Sequence, residues 1–194
     1  MAYPVAVSGL RISLREFAPD DQADMHTIYG DPTTTENLSF EPRTAEQVAS
    51  LLERISAAAH ENPRLDYTLA ITLNDNGQLI GTGRLALGTP DQAGPNAGLR
   101  ADSPAVQFGL AIYAPYWRHG YGHEALGMLI NYAFDELGVD EVWGARGPAN
   151  IASAALMNAA GFTETITIPN HIVKNGQPRD SVVHVLRRNP LTRE

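Results

Sequence analysis

The run from Ala105 to Ala125 constrains this chain more than any other stretch, because it joins a strand to a helix through a turn that carries two glycines. Residues 106–113 are apolar enough for a buried strand. Helical periodicity begins at Gly120 and continues to Leu137, with Leu126, Leu129, Ile130, Ala133, Phe134 and Leu137 on one side. Between the two lies Tyr116-Trp117-Arg118-His119-Gly120-Tyr121-Gly122-His123. The first turn of a helix has N–H groups with no partner inside the helix, and they carry a partial positive charge. Gly120 and Gly122 let an anion approach that backbone without meeting a side chain. The turn is therefore a candidate pyrophosphate cradle. It lacks the third spaced glycine of a dinucleotide fingerprint and the Gly-Lys-Ser/Thr ending of a nucleotide loop. On its own it reads first as a turn that merely needs flexible backbone.

The flanking sequence alternates strands and helices. Leu10, Ile12 and Leu14 alternate with Arg11, Ser13 and Arg15, which predicts a half-buried strand. Pro19-Asp20-Asp21 predicts a helix start, the helix running to about Tyr29 and stopping near Gly30-Asp31-Pro32. A polar stretch follows over 33–42. Thr44 and Gln47 are spaced as a capping box ahead of a stripe of Val48, Leu51, Leu52 and Ile55, which Pro63 closes. Strands are predicted at 67–73 and 79–87, joined by the hairpin turn Asn74-Asp75-Asn76-Gly77. Residues 88–104 are rich in Gly, Pro, Asp and Asn and read as a long surface loop, either a lid or an oligomer contact. After the cradle helix come a short strand at 139–145, a small-residue helix at 150–160 ended by Gly161, and a strand at 162–168. A turn at Asn175-Gly176 and a last strand at 180–186 complete the order. No repeat or linker interrupts it. The expectation is a single domain over 1–194, of α/β (α+β mixed) class with both parallel and antiparallel pairs.

Composition narrows the function. The chain has 194 residues, 43% of them hydrophobic, which suffices for a buried core and argues against disorder. A net charge of −8 repels phosphate backbones, so nucleic acid is not an expected partner. The absence of cysteine excludes a disulfide framework, a thiolate zinc site and a cysteine nucleophile. No run reaches the roughly 18–20 apolar residues of a membrane span, and the N-terminus lacks the basic-then-apolar pattern of a secretory signal. A cytoplasmic protein without a membrane partner is expected. His119 and His123 are four apart, a ligand spacing, but His119 precedes the helix and no carboxylates complete a site, so no metal is expected. No Gly-x-Ser-x-Gly element supports a serine hydrolase.

The second half makes the cradle specific. Val142-Trp143-Gly144-Ala145 is a strand, and after a short loop come Asn150, Ser153, Leu156, Met157 and Gly161-Phe162. Together with the run from Tyr116 to Ala125, this arrangement resembles the GNAT superfamily of N-acetyltransferases. Within it the likeness is to the RimJ/RimL-like branch, which acetylates ribosomal-protein N-termini and has relatives acting on small amines, amino acids or antibiotics. Leu10-Arg11-Ile12-Ser13-Leu14-Arg15, Leu79-Ile80-Gly81-Thr82-Gly83 and Asn175-Gly176-Gln177-Pro178-Arg179-Asp180-Ser181 are similar to its opening strand, central hairpin and closing turn, so nearly the whole chain is covered. The resemblance implies a twisted mixed sheet of about six to seven strands flanked by four helices, with a splayed central strand pair that binds acetyl-CoA as cosubstrate.

It also implies roles residue by residue. The amides from Trp117 or Arg118 through His119, Gly120 and Gly122 to His123 hold the pyrophosphate. The strand from Leu110 to Ile112 pairs with the pantetheine arm as if it were another strand. The N–H of Ile112 polarises the thioester carbonyl and stabilises the oxyanion. Asn150 hydrogen-bonds the arm, and Ser153 sits near the sulfur. The acceptor is a primary amine, a small molecule or a protein N-terminus. Its pocket is formed by the first two helices, residues 33–42 and 88–104, and the turn near Asn170-His171. A homodimer is left open.

Two positions depart from the family's pattern. The general acid in much of the superfamily is a tyrosine four residues after the position of Ser153, and here that residue is Met157, which cannot donate a proton. Ser153 is therefore the candidate donor to the leaving sulfur, directly or through water. The alternative is that it only packs on a small-residue helix. Gln107 stands where the branch often has a glutamate, and glutamine cannot be a base. Glu36, Asp66, Glu164 and His171 are other candidate bases, each otherwise a solvated surface group; water relay can serve if positioning supplies most of the rate. Arg118 and His119 are read as phosphate contacts or solvated groups, Trp117 and Tyr116 as core packing beneath the turn or else as edging the cofactor, and Glu124 as a helix N-terminal acid or a catalytic group. The two departures keep open a second reading, a non-catalytic acyl-CoA-binding sensor.

Overall fold

The alternating apolar segments assemble into one sheet of eight strands in the computed structural model, which describes residues 3–87, 99–100 and 103–189. The strands are β1 Ala6–Ser8, β2 Ile12–Arg15, β3 Asp66–Leu73, β4 Leu79–Leu87, β5 Ala105–Ile112, β6 Glu141–Arg146, β7 Thr163–Lys174 and β8 Gln177–Arg187. Their order across the sheet is β1-β2-β3-β4-β5-β6-β8-β7. Every neighbouring pair is antiparallel except β5 and β6. The helices are α1 Gln22–Gly30, α2 Pro32–Thr35, α3 Ala45–Ala59, α4 Tyr121–Asn131 and α5 Ile151–Ala159. This is the mixed, twisted-sheet architecture expected of the resemblance.

Differences from the sequence expectation are local and have local causes. The additional strand, β1, is three residues long, too short for a readable period. The additional helix, α2, is one turn inside the stretch read only as polar; the Asp31 carboxylate builds it by accepting from Thr34 N at 2.7 Å and Thr34 Oγ1 at 2.6 Å. Pro19–Asp21 forms a 3-10 turn before α1. The cradle helix leaves α geometry at Tyr132 and finishes as a π turn, Tyr132–Glu136. β7 and β8 run six and three residues past their expected limits, to a turn whose Asn175 and Gly176 both have left-handed φ, 52° and 68°. β7 is an edge strand with two register shifts, so its side chains lack a steady alternation. Most of 88–104 lies outside the described residues, and with it the lid or oligomer-contact expectation.

Two layers of helix cover the sheet. On one face α4 and α5 bury Ala125, Leu126, Leu129 and Met157 against Ile12, Leu14, Leu69, Leu85, Val106 and Val142. On the other, α1 and α3 bury Met25, Ile28, Val48 and Ile55 against Ala70, Leu79 and Ala111. Among the described residues no helix is long and apolar enough to cross a membrane.

The feature that positions the site is the short parallel contact. Ala105, Val106 and Gln107 pair with Glu141, Val142 and Trp143, and there the pairing stops, although β5 continues to Ile112 and β6 to Arg146. Phe108 wedges the gap. Its ring lies where a side chain on Gly144 would project, and it packs on Phe162 with ring centroids 5.3 Å apart. Gly144 is needed here for space. Gly144→Val should therefore lower stability by about 1–3 kcal/mol, the usual cost of overpacking. Thermal unfolding checks this, and adding Phe108→Ala should recover part of the loss.

Candidate active site

The cradle sits at the start of α4. Arg118 and Gly120 have left-handed φ values of 64° and 82°, a backbone pattern that gathers successive N–H groups into an anion-binding concavity. The amides of Tyr116 and Trp117 are used within the turn, donating to Tyr113 O at 2.8 Å and Ala114 O at 3.0 Å, and Glu124 N reaches Gly120 O at 3.2 Å. Among the described residues, no protein acceptor takes the N–H of Arg118, His119, Gly120, Tyr121, Gly122 or His123. That is the donor set an anionic diphosphate needs, at the positive end of a helix. The side chains around it add structure. His119 Nδ1 donates to Trp117 O, 2.8 Å away, and the ring stacks on Tyr121 with centroids 5.9 Å apart. The side chains of Arg118 and His123 are exposed.

The turn is braced from the far end of the sequence. Arg11, in the loop before β2, donates from Nη1 to His119 O at 2.8 Å and from Nε to Glu124 Oε2 at 2.9 Å. Glu124 Oε1 accepts from the backbone of Arg11 at 2.7 Å and of Ile12 at 3.3 Å. Gly9 belongs to this joint, since a side chain there would meet Met128 Sδ at 2.7 Å and Glu124 Oε1 at 2.9 Å. Glu124 thus does more than complement the helix N-terminus. It ties β2 to α4. Burial opposes its charge, but the hydrogen bonds from Arg11 and Ile12 and the guanidinium charge outweigh burial and hold its carboxyl below the usual range.

The splayed edge of β5 supplies the second half of the site. Tyr113 N donates to Ile80 O at 2.8 Å, across to β4. Backbone groups alternate between the two edges of an antiparallel strand, so the N–H groups of Leu110 and Ile112 point the other way, into the gap beside β6. Trp117 closes one end of that edge. Its indole N–H donates to Ile112 O at 2.6 Å and the residue remains 40% exposed. This corrects the expectation that Trp117 packs in the core: its N–H requires an acceptor, and the open strand edge offers one. Tyr116 does pack against the core.

Asn150 and Ser153 come in on α5. Asn150 caps the helix, its Oδ1 accepting from Ser153 N at 3.0 Å, which leaves the carboxamide N–H groups as donors. Ser153 is half-buried, and among the described residues its Oγ has no protein partner. Met157 is buried in the core at 1% exposure, so it serves packing alone. The elements meet at Gly122. A side chain added there would come within 4.0 Å of Ile112 Cγ1 and 3.9 Å of Leu156 Cδ2, so cradle, β5 edge and α5 share one junction.

The other candidate bases are scattered. Asp66 pairs with Arg84 at 2.8 Å, Glu164 pairs with Arg146 at 3.2 Å, Glu36 is exposed on the segment after α2, and His171 lies half-buried on β7. Gln107 is partly buried on β5 opposite Ala86 and Trp143. The wall beside the end of β5 is held firmly. Thr34 Oγ1 of α2 accepts from Ala114 N at 3.0 Å, and Lys174 Nζ at the β7–β8 tip donates to the carbonyls of Thr35, Glu36 and Leu38 at 2.6, 2.7 and 3.1 Å. Local sequence could not reveal Arg11 and Lys174, because each finds its partners more than a hundred residues away. Among the described residues no three His, Cys, Asp or Glu side chains group as a metal site.

Residues 11–163 match the acetyltransferase (GNAT) domain family, and the chain belongs to that family. It is an acetyltransferase of the kind that uses acetyl-CoA. The FsC-acetyl coenzyme A-N(2)-transacetylase of Aspergillus fumigatus is 33% identical over 89 residues, 46% of this chain; the match spans only 37% of that protein's length. A ribosomal-protein alanine acetyltransferase from Vibrio fischeri has a similar structure, with a TM-score of 0.72 at 18% identity, covering 96% of this chain and 98% of that one. Spermidine N-acetyltransferase from Vibrio cholerae, solved with CoA and spermine, gives 0.72 at 15% identity over 91% and 95% of the two chains. At such identities the likeness is one of fold.

Two outcomes follow. Replacing Gly120 and Gly122 with valine should abolish acetyl-CoA binding in calorimetry while the circular dichroism spectrum is retained, since the first needs left-handed φ and the second adjoins Ile112. Glu124 stabilises the fold as a carboxylate, so its contribution is full at neutral pH and is lost as pH falls through its lowered folded-state value. The difference in urea midpoint between the wild type and Glu124→Gln should hold from neutrality down to the ordinary carboxylate range and shrink below it.

Proposed function

We propose that the chain is a RimJ/RimL-like N-acetyltransferase that moves the acetyl group of acetyl-CoA directly to a primary amine, on a small molecule or at a protein N-terminus. The observation that carries this reading is the junction at Gly122, where an anion cradle, the free edge of β5 and α5 come together. An acyl-CoA has a diphosphate at one end and a thioester at the other, joined by an arm with amide groups, and the junction offers a partner for each.

In this reading the arm lies along β5 beside Leu110 and Ile112 and is held by Asn150. The neutral amine attacks the thioester carbonyl carbon, a C–N bond forms, and the carbonyl oxygen becomes an oxyanion that accepts from Ile112 N–H. Collapse of the tetrahedral intermediate breaks the C–S bond. The departing sulfur takes a proton from Ser153 Oγ, directly or through water, the new ammonium gives its proton to solvent, and solvent returns one to Ser153. Asp66 and Glu164 each hold an arginine, which supports water over a protein base.

Thiol release from acetyl-CoA, followed with spermidine, amino acids and Ser- or Ala-initiated peptides as acceptors, tests the reading. Acceptor-dependent release with at least one primary amine is expected. Tight acetyl-CoA binding with no release across the panel would favour the sensor instead. Ser153→Ala should lower kcat roughly a hundredfold with little change in acetyl-CoA affinity, the size of effect typical for loss of a proton donor.

A further inference from the structure

One polar cluster, buried at Arg146 and His184 and exposed at Glu164, has no part in the chemistry above. Strand register places Glu164 of β7 opposite His184 of β8, and His184 opposite Gly144 of β6. Side chains alternate between faces, so Arg146, two residues beyond Gly144, lies on the same face. Its side chain is 9% exposed and that of His184 is 1% exposed. Arg146 Nε donates to His184 Nε2 at 3.1 Å, and Nη2 donates to Glu164 Oε2 at 3.2 Å. Nη1 donates to two backbone carbonyls, Pro148 O at 2.9 Å and Gly147 O at 3.2 Å.

Those carbonyls belong to the loop that delivers Asn150. Asn150 N bonds to Gly147 O at 3.0 Å, and Asn150 Oδ1 bonds to Ser153 N at 3.0 Å. A continuous set of hydrogen bonds therefore runs from the sheet, through a planar guanidinium, to the residue that would meet the cofactor arm. We propose that Arg146 is the positioning residue for the pantetheine-binding loop, with His184 as the neutral acceptor that sets its orientation. This rests on the acetyl-CoA reading of Asn150.

The cluster has a built-in acid dependence. For Nε2 to accept from Arg146, the His184 ring must be neutral with its proton on Nδ1. Burial, and next the Arg146 charge, push its pKa down, so the ring is neutral at pH 7. The charged groups that face it are Arg146 from β6 and Glu164 from β7, whose Oε2 is 3.8 Å from Nε2. Once protonated, Nε2 becomes a donor. It then releases Arg146 and turns to Glu164, and the loop loses its anchor.

Calorimetry with two ligands tests this. Adenosine 3′-phosphate 5′-diphosphate carries the pyrophosphate but no arm, so it uses the cradle alone; acetyl-CoA uses cradle and loop. Arg146→Met should weaken acetyl-CoA about tenfold, equivalent to losing one charge-assisted hydrogen bond, and change the fragment by less than about twofold. Arg146→Lys should restore part of the difference. In the wild type, acetyl-CoA should lose affinity relative to the fragment as the pH falls below the ordinary histidine range, because the His184 pKa is lowered. His184→Gln offers an acceptor that cannot be protonated and should remove that dependence. Equal weakening of both ligands in Arg146→Met, or of neither, would overturn the proposal. If Arg146→Met does not fold, an acid dependence that survives in His184→Gln overturns it just as well. A wild type that binds the fragment but gains nothing from the arm would instead sink the acetyl-CoA reading of Asn150, and this proposal with it.

Discussion

Parallel pairing between β5 and β6 ends at Gln107 and Trp143, and the site depends on where it ends. Had the pairing continued, the N–H groups of Leu110 and Ile112 would be spent on β6. Because it stops, they face a gap beside β6. In the proposed reading, a ligand arm with amide groups takes the place of a strand along that edge. Phe108 and Gly144 keep the gap open, the ring of one occupying the space left by the missing side chain of the other. The same stiffness that holds the strands apart aims the Ile112 amide.

A strand edge binds nothing in particular until its neighbours are placed, and three polar joints place them. Arg11 and Glu124 fasten the cradle to β2. Arg146 fastens the Asn150 loop to β6, β7 and β8. Lys174 and Thr34 fasten α2 between the β7–β8 tip and the end of β5. The charged side chains of these joints donate to backbone carbonyls, to carboxylates and, at His184, to an imidazole nitrogen, and Thr34 Oγ1 accepts from the backbone N–H of Ala114. These are directional contacts, so they fix orientation in a way that apolar packing does not. The apolar layers supply the bulk of the stability, and the joints decide how the loops that leave those layers are pointed.

Much of the fold was legible because its signals are local. Period-two alternation at 67–73 and 79–87, the capping box of Thr44 and Gln47, and the Asn175-Gly176 turn each depend on residues a few positions apart. The cradle was legible for the same reason: a strand, two glycines and a helix start are contiguous. What escaped was short or mixed, such as β1, the single turn of α2 and the π ending of the cradle helix. The exposure of Trp117 escaped as well, because an aromatic residue next to a turn carries no local sign of whether its N–H will find an acceptor.

By itself, then, the sequence determined the order of the longer elements, the position of the candidate anion cradle and the identity of the residues on α5, including Ser153, the proposed proton donor, and a methionine that cannot serve. Only the tertiary structure decided which N–H groups stay free among the described residues, that Glu124 is a tie rather than a simple helix acid, and that Arg11 bonds to His119 O and Arg146 to the carbonyls of Gly147 and Pro148. The physical reason is distance along the chain. Backbone conformation is set by near neighbours. Arg11 meets Glu124 across 113 residues and Arg146 meets His184 across 38, and contacts of that kind exist only once the sheet has closed.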